Sequence, residues 1–324
     1  MQCTRRFNVA IPKASVIKLI IFEWSEPSVI FPEKLKIRDV SLRDGLQNEP
    51  VFVETEQKIN KIKDLIEAGF DRLEVTSFVH PKWVPAMQDA DLLGQNLPMV
   101  PGVEYEALVP NQRGLDRFLK SGINTAVYFL SASTKHNEAN LNKCTDESLE
   151  EIKSLVEKTK IEGRRVIGAI STAFVCPFAG LVPYSEVERI AGELVSFGVD
   201  ELGLGDTIGK ATPRQVYEYC SRLAEKFPDI PIGLHLHDTY GFGLANVMAG
   251  IQAGVQLVDV AQAGLGGCPY APGAPGNVQA SRVVEFLELQ HIKTGLNLER
   301  LKQLDRSFPQ LLRDAEALTK TVQG

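Results

Sequence analysis

From Lys36 onward the chain alternates short apolar, β-rich runs with longer stretches of helical period, eight times over and without a break in composition. That rhythm is what a parallel sheet with helical crossovers requires, and it leaves few folds open. The runs lie at 36–40, 72–75, 104–109, 125–130, 165–171, 201–204, 232–237 and 256–261. Eight such units in about 230 residues match the size of a closed (β/α)8 TIM barrel. A doubly wound open sheet is the rival, but it would place a glycine-rich phosphate loop after an early strand, and the sequence has no GxGxxG.

Start signals accompany the helices. Thr145 precedes Asp146 and Glu147, with Leu149, Ile152, Leu155 and Val156 on one face. Ser185 to Glu188 reads as a capping box, and Gly198 stops the helix that follows. Thr212, Pro213 and Gln215 form another start. Val283, Val284, Phe286 and Leu287 mark the eighth helix, and 298–318 is an extra C-terminal helical stretch expected on the outside. With no linker or longer repeat, 35–324 reads as a single catalytic domain preceded by an extension at 1–34.

Composition limits the partners. A net charge of −6 gives no electrostatic reason to expect nucleic acid or an anionic membrane surface. No apolar run approaches the roughly 20 residues that span a bilayer. Five cysteines, odd in number and without a CxxC pair, read as reduced thiols, so the expected location is cytoplasmic. An organellar matrix is the alternative if the first 22 residues, which carry Arg5, Arg6, Lys13 and Lys18 and no acid, act as a transit peptide.

In a barrel, chemistry sits at the carboxyl ends of the strands, and the polar residues there are unusual. His235 and His237 lie two apart, so on a strand both imidazoles leave one face. Burying them without a partner would leave four ring nitrogens to satisfy, which makes a divalent metal the better explanation. A loop with five glycines between Gly264 and Gly276 delivers Cys268 and Asn277 close by. Arg43 and Asp44 follow the first strand, Glu74 lies in the second and Asp206 follows the sixth. Each has a plain structural alternative: a turn ion pair, a buried carboxylate paired with Arg43, a helix cap. Closure makes strands eight, one and two neighbours, so these groups converge. An Asp oxygen, two His nitrogens and an Asn oxygen suit Mg2+, Mn2+ or Co2+ in six-coordination, with two positions left for substrate.

The stretches RDGLQNE (43–49), LEVTSFVHPKWVPAM (73–87), SAS with HN (131–137), GDTIG (205–209), HLHDTYG (235–241) and AGLGGCPYAPGAPGN (263–277) together resemble the 3-hydroxy-3-methylglutaryl-CoA lyase family, within the wider group of metal-dependent barrel lyases and condensing enzymes. The likeness runs from about Ile37 to Asn277, and the cysteine-bearing GLGGCPYA is its most specific part. What it implies is a TIM barrel that cleaves 3-hydroxy-3-methylglutaryl-CoA to acetyl-CoA and acetoacetate, in leucine degradation and ketone-body formation. By motif position, Asp44, His235, His237 and Asn277 would bind Mg2+ or Mn2+. Arg43 would sit on the thioester carbonyl, Glu74 and Asp206 would be catalytic carboxylates with the His235 neighbourhood a further candidate base, and Cys268 would be the reactive thiol. The partner is an acyl-CoA substrate, and a homodimer is expected because barrels often pair.

Some positions depart from that pattern. An acidic pair commonly follows the asparagine in the family, whereas Gln279, Ala280, Ser281 and Arg282 stand here, and His80 and Pro275 replace smaller residues. A lyase acting on a related 3-hydroxy-3-alkylglutaryl-CoA is therefore one alternative. A Claisen-type condensing enzyme would carry a GxGERxGN-type loop, which the chain lacks. A silent barrel would have lost some of the ligand, arginine and thiol set.

Overall fold

The computed structural model describes residues 31–267 and 276–323, with side chains to 318. The chain divides into two units, Met1–Ile30 and Phe31–Gly324, and the second forms the barrel. Its eight strands are β1 (Lys36–Asp39), β2 (Arg72–Ser77), β3 (Glu104–Leu108), β4 (Thr125–Ser131), β5 (Arg165–Ser171), β6 (Glu201–Asp206), β7 (Ile232–Leu236) and β8 (Leu257–Val260). Each is one of the expected runs, with ends shifted by at most two residues. All neighbours are parallel, and β1 pairs with both β2 and β8, which closes the cylinder. Asp39, the last residue of β1, lies opposite Val260, the last of β8, and opposite Leu73 of β2, which runs on to Ser77, so closure makes the first strand the neighbour of the second and the eighth.

The helices pack apolar stripes onto the outside of the strands. Val187, Ile190, Ala191 and Leu194 are buried on the helix Tyr184–Ser196, and Val283, Val284 and Leu287 on Ala280–Leu289. Two helix starts differ from expectation. Cys144, not Thr145, caps Thr145–Ile161: its sulfur accepts the Glu147 N–H at 3.5 Å while Glu147 accepts the Cys144 N–H. The Thr145 hydroxyl is instead engaged with Thr134 at 3.1 Å. Ser185 lies inside its helix, which begins at Tyr184 after Pro183 without a side-chain cap, because the buried Tyr184 ring packs edge-on against Tyr219. Thr212 and Gln215 do form their capping box.

The barrel interior carries a layer of charge where branched apolar side chains are common. Arg38 of β1 binds Asp259 of β8 through two nitrogens at 2.8 and 2.9 Å, and reaches Glu106 of β3 at 2.7 Å and Glu201 of β6 at 3.3 Å. Arg72 of β2 reaches Glu106 and Glu201 at 2.6 Å each. All five are almost fully buried, and burial pushes the Glu106 carboxyl up against the pull of both arginines. No described helix is long and apolar enough to cross a membrane.

Candidate active site

The site begins where β1 ends. After Asp39 the backbone makes a single π-helical turn, Ser41–Gly45, in which the N–H groups of Asp44 and Gly45 both return to Val40 O, at 2.8 and 3.1 Å. Such turns widen the helix by a residue and recur at functional positions. Here the turn swings Arg43 and Asp44 over the barrel mouth. The next strand supplies Glu74, which receives Arg43 Nη2 at 2.8 Å, while Arg43 Nη1 donates to Asp44 at 2.6 Å. Arg43 is thus clamped between two carboxylates, which raise its pKa against the opposing effect of burial. The pairing expected of Glu74 and Arg43 is present. Glu74 Oε1 remains buried without a hydrogen-bond partner.

At the end of β7, His235 and His237 bring their Nε2 atoms to 3.2 Å from each other. Asp44 Oδ2 is 3.8 Å from His235 Nε2 and 3.6 Å from His237 Nε2. His235 Nδ1 lies 3.1 Å from Asp259 Oδ2. A carboxylate there requires the imidazole proton on Nδ1, so the Nε2 lone pair points at the other ring. At that separation the two nitrogens need a proton or a cation between them.

The third contribution comes from the returning limb of the glycine-rich loop. His237 bridges Asn277 in antiparallel fashion, Val278 N–H bonds Leu236 O at 3.1 Å, and Asp238 N–H bonds Gly276 O at 2.8 Å. These bonds extend β7 and lay Asn277 beside the imidazoles. Its amide is turned differently from expectation: Nδ2, not the oxygen, faces Asp44 Oδ2 at 2.7 Å, and donates also to Leu265 O at 2.9 Å. The reason is charge, since a bare carboxylate attracts N–H groups. Asn277 Oδ1 is left buried without a hydrogen-bond partner. Gly266, at φ +99°, makes room for all this, because a Cβ there would lie 2.4 Å from Asn277 Nδ2 and 2.9 Å from Asp44 Oδ2.

These residues fit a divalent cation. Cis ligands of an octahedral ion at about 2.1 Å are roughly 3 Å apart, and Asp44, His235 and His237 offer one atom each within 4.8 Å of one another. Rotation of the Asn277 amide would present its orphaned oxygen. The electrostatics favour positive charge: although burial opposes it, Arg43 and the two histidines hold the Asp44 carboxyl well below the usual carboxylate range. Burial lowers and Asp259 and Asp44 raise the His235 pKa, with a net rise. Surroundings that favour an imidazolium also favour a metal ion.

Asp206, at the end of β6, is fully buried, and its two oxygens each accept a backbone N–H, from Lys210 and Ala211, at 3.0 Å. Burial raises its pKa to about 6 against those two bonds. It therefore holds the turn before the helix Pro213–Lys226 as well as standing near the histidines. Cys268 lies outside the described residues. Reading from the sequence alone passes over Asp259 and Arg38, although charged residues inside the apolar runs KIRDV and QLVDVA are a signal that could find them.

A family model described as HMGL-like matches residues 34–307. The chain belongs to the HMGL-like family. Among its relatives, the hydroxymethylglutaryl-CoA lyase of Bacillus subtilis is 46% identical over 84% of this chain and 91% of the relative. The human mitochondrial hydroxymethylglutaryl-CoA lyase is 38% identical over 87% of this chain and 86% of its own length. In three dimensions the B. subtilis HMG-CoA lyase crystal structure superimposes with a TM-score of 0.85 at 43% identity, covering 89% of this chain and 99% of that one. An Acinetobacter baumannii HMG-CoA lyase in complex with coenzyme A and 3-methylmalate gives 0.82 at 36% identity, covering 86% and 92%. The HMGL-like match spans every barrel strand and the first turns of the C-terminal helix, so the site lies wholly within it.

Proposed function

We propose that this HMGL-like chain is a carbon–carbon lyase that cleaves 3-hydroxy-3-methylglutaryl-CoA into acetyl-CoA and acetoacetate, in leucine degradation and ketone-body formation. The observation that carries the reading is convergence: Asp44 from the turn after β1, His235 and His237 from β7 and Asn277 from the returning loop meet beside a half-buried Arg43. Those four would hold Mg2+ or Mn2+. Such an ion, when bound, would lower the pKa of the substrate's tertiary hydroxyl.

The remaining steps fall to the chain's own groups. A base takes the hydroxyl proton, the C2–C3 bond breaks with its electrons passing to the thioester, and acetoacetate leaves as the ketone. Asp206, whose pKa of about 6 suits a base near neutral pH, supports that role, with the His235 neighbourhood as the other candidate. Arg43, a fixed cation held in place by Asp44 and Glu74, would stabilise the enolate oxygen of acetyl-CoA. Glu74 would keep Arg43 oriented and face the substrate with its free oxygen. Cys268 would return a proton to the enolate carbon. The partner is an acyl-CoA, and the coenzyme A complex of the A. baumannii relative supports that class. We read the protein as a cytoplasmic homodimer, to be checked by fractionation and sedimentation, with 1–34 dispensable for catalysis.

The test is direct. Purified protein supplied with Mg2+ or Mn2+ and 3-hydroxy-3-methylglutaryl-CoA should release acetoacetate and acetyl-CoA in equal amounts, and longer 3-alkyl branches should react more slowly. Faster turnover of a longer branch would replace the substrate by a related 3-hydroxy-3-alkylglutaryl-CoA. Release from none of them would remove the lyase reading.

A further inference from the structure

The helix Leu298–Gln323 lies beyond the eight βα units, yet one of its side chains enters the wiring of the site. Asp305 Oδ1 accepts the Ala263 N–H at 2.6 Å, and Asp305 Oδ2 accepts Gln279 Nε2 at 2.8 Å. Ala263 is on the limb that leaves β8 for the glycine-rich loop, and Gln279 is on the limb that returns from it. A single carboxylate therefore joins the two limbs. Its own position is set by packing: Leu301, Leu304, Phe308, Leu311 and Ala315 are buried along one face of the helix, and Asp305 sits in the midst of that anchored stretch. Ala263 has φ +55°, a left-handed conformation unfavourable for a residue with a Cβ, and its N–H is the group the carboxylate takes.

Backbone bonds also join the limbs at their bases, from Ala261 N to Val278 O at 3.1 Å and from Ala280 N to Ala261 O at 3.0 Å. Higher up, the backbone tie is weaker, since Asn277 N reaches Leu265 O only at 3.4 Å. The groups that matter for the cation lie in that upper part. Asn277 is two residues from Gln279, and Gly266, three residues from Ala263, packs against both Asn277 and Asp44.

We propose that Asp305 is a positioning residue, which fixes the separation of the two loop limbs and so holds Asn277 and Gly266 in register with Asp44, His235 and His237. The proposal rests on the reading of those residues as a divalent-metal site. The C-terminal helix is thereby part of the site's support and not merely an external cover.

The test uses the full chain stripped of metal, as wild type, Asp305→Ala, Gln279→Glu, Asp305→Asn and the double variant Gln279→Glu/Asp305→Asn. Mn2+ affinity is read by electron paramagnetic resonance, and amide hydrogen exchange follows peptides containing 262–267 and 276–279. Removing a group that orients metal ligands weakens binding by roughly ten- to a hundredfold. Asp305→Ala, which deletes the bridge, and Gln279→Glu, which sets two carboxylates against each other, should each raise the Mn2+ Kd by about tenfold and speed exchange in both segments. Asp305→Asn should stay near wild type, because its amide can meet the turned-over Gln279 amide while its oxygen keeps the Ala263 N–H. The double variant should recover most of what Gln279→Glu loses. Lower thermal stability with unchanged Mn2+ affinity and unchanged exchange, or a double variant no better than Gln279→Glu, would overturn the proposal. If wild type itself binds no Mn2+, the metal reading fails, and the exchange pattern with its rescue decides the bridge by itself.

Discussion

Asp259→Asn probes the link between the charged barrel interior and the proposed metal ligands. Asp259 uses two oxygens for three N–H groups: two from Arg38, at 2.8 and 2.9 Å, and His235 Nδ1 at 3.1 Å. An amide keeps only one oxygen. If that oxygen faces Arg38, the new NH2 group meets His235 Nδ1 and forces the ring proton onto Nε2, the atom that lies 3.2 Å from His237 Nε2. A protonated Nε2 cannot ligate. If the amide turns over, its oxygen keeps both His235 Nδ1 and Arg38 Nη2, but its NH2 is set against Arg38 Nε, which loses its acceptor. Losing the carboxylate behind a ligating histidine costs about ten- to a hundredfold in metal affinity, or about 1.4–2.7 kcal/mol at the ion. Breaking the buried charge pair costs a further ~3–5 kcal/mol of folding stability. Mn2+ titration of the metal-free variant, alongside urea unfolding, separates the two effects. A folded Asp259→Asn protein with both wild-type Mn2+ affinity and wild-type stability would refute the argument that this carboxylate serves Arg38 and the His235 tautomer together.

Arg43→Met should lower kcat by about 10²–10³, with a much smaller change in KM measured at saturating metal; equal losses in both would mark Arg43 as an ordinary binding contact. Gly266→Ala places a methyl group 2.4 Å from Asn277 Nδ2 and 2.9 Å from Asp44 Oδ2, in a backbone region strained for alanine, so Mn2+ stoichiometry should fall below one per chain while far-UV circular dichroism stays unchanged. Asp206 is ionised only above its pKa of about 6, so kcat/KM should fall as pH drops through an apparent pKa at or below that value, a nearby divalent charge moving it down and not up. Asp206→Asn should abolish that limb along with most turnover, and an unaltered acid limb would exclude it as the base. Cys268→Ser should bind Mn2+ normally yet lose most turnover, and unchanged rates would remove the thiol from the chemistry.

Much of this was legible in the sequence because it is local. Period and capping chemistry fix where strands and helices form, which is why the eight runs from 36–40 to 256–261 reappear as strands and why Thr212 and Gln215 cap as expected. Two histidines at the strand period must share a face whatever surrounds them. Local signals misled where a distant contact competed: Tyr184 starts its helix one residue before Ser185 because its ring is needed against Tyr219, and Thr145 gives up its cap to bond Thr134. The direction of the Asn277 amide, the Arg38–Asp259–His235 chain and the Asp305 bridge join residues as far apart as 233 positions along the chain. Those pairings exist only because the barrel closes and brings β8 against β1, and a hydrogen bond depends on distances of a few tenths of an ångström that residue order cannot express. The sequence by itself determined the strands, their order and the kind of donor atoms available; the tertiary structure decided which of those atoms meet, which tautomer and amide face they adopt, and what holds them there.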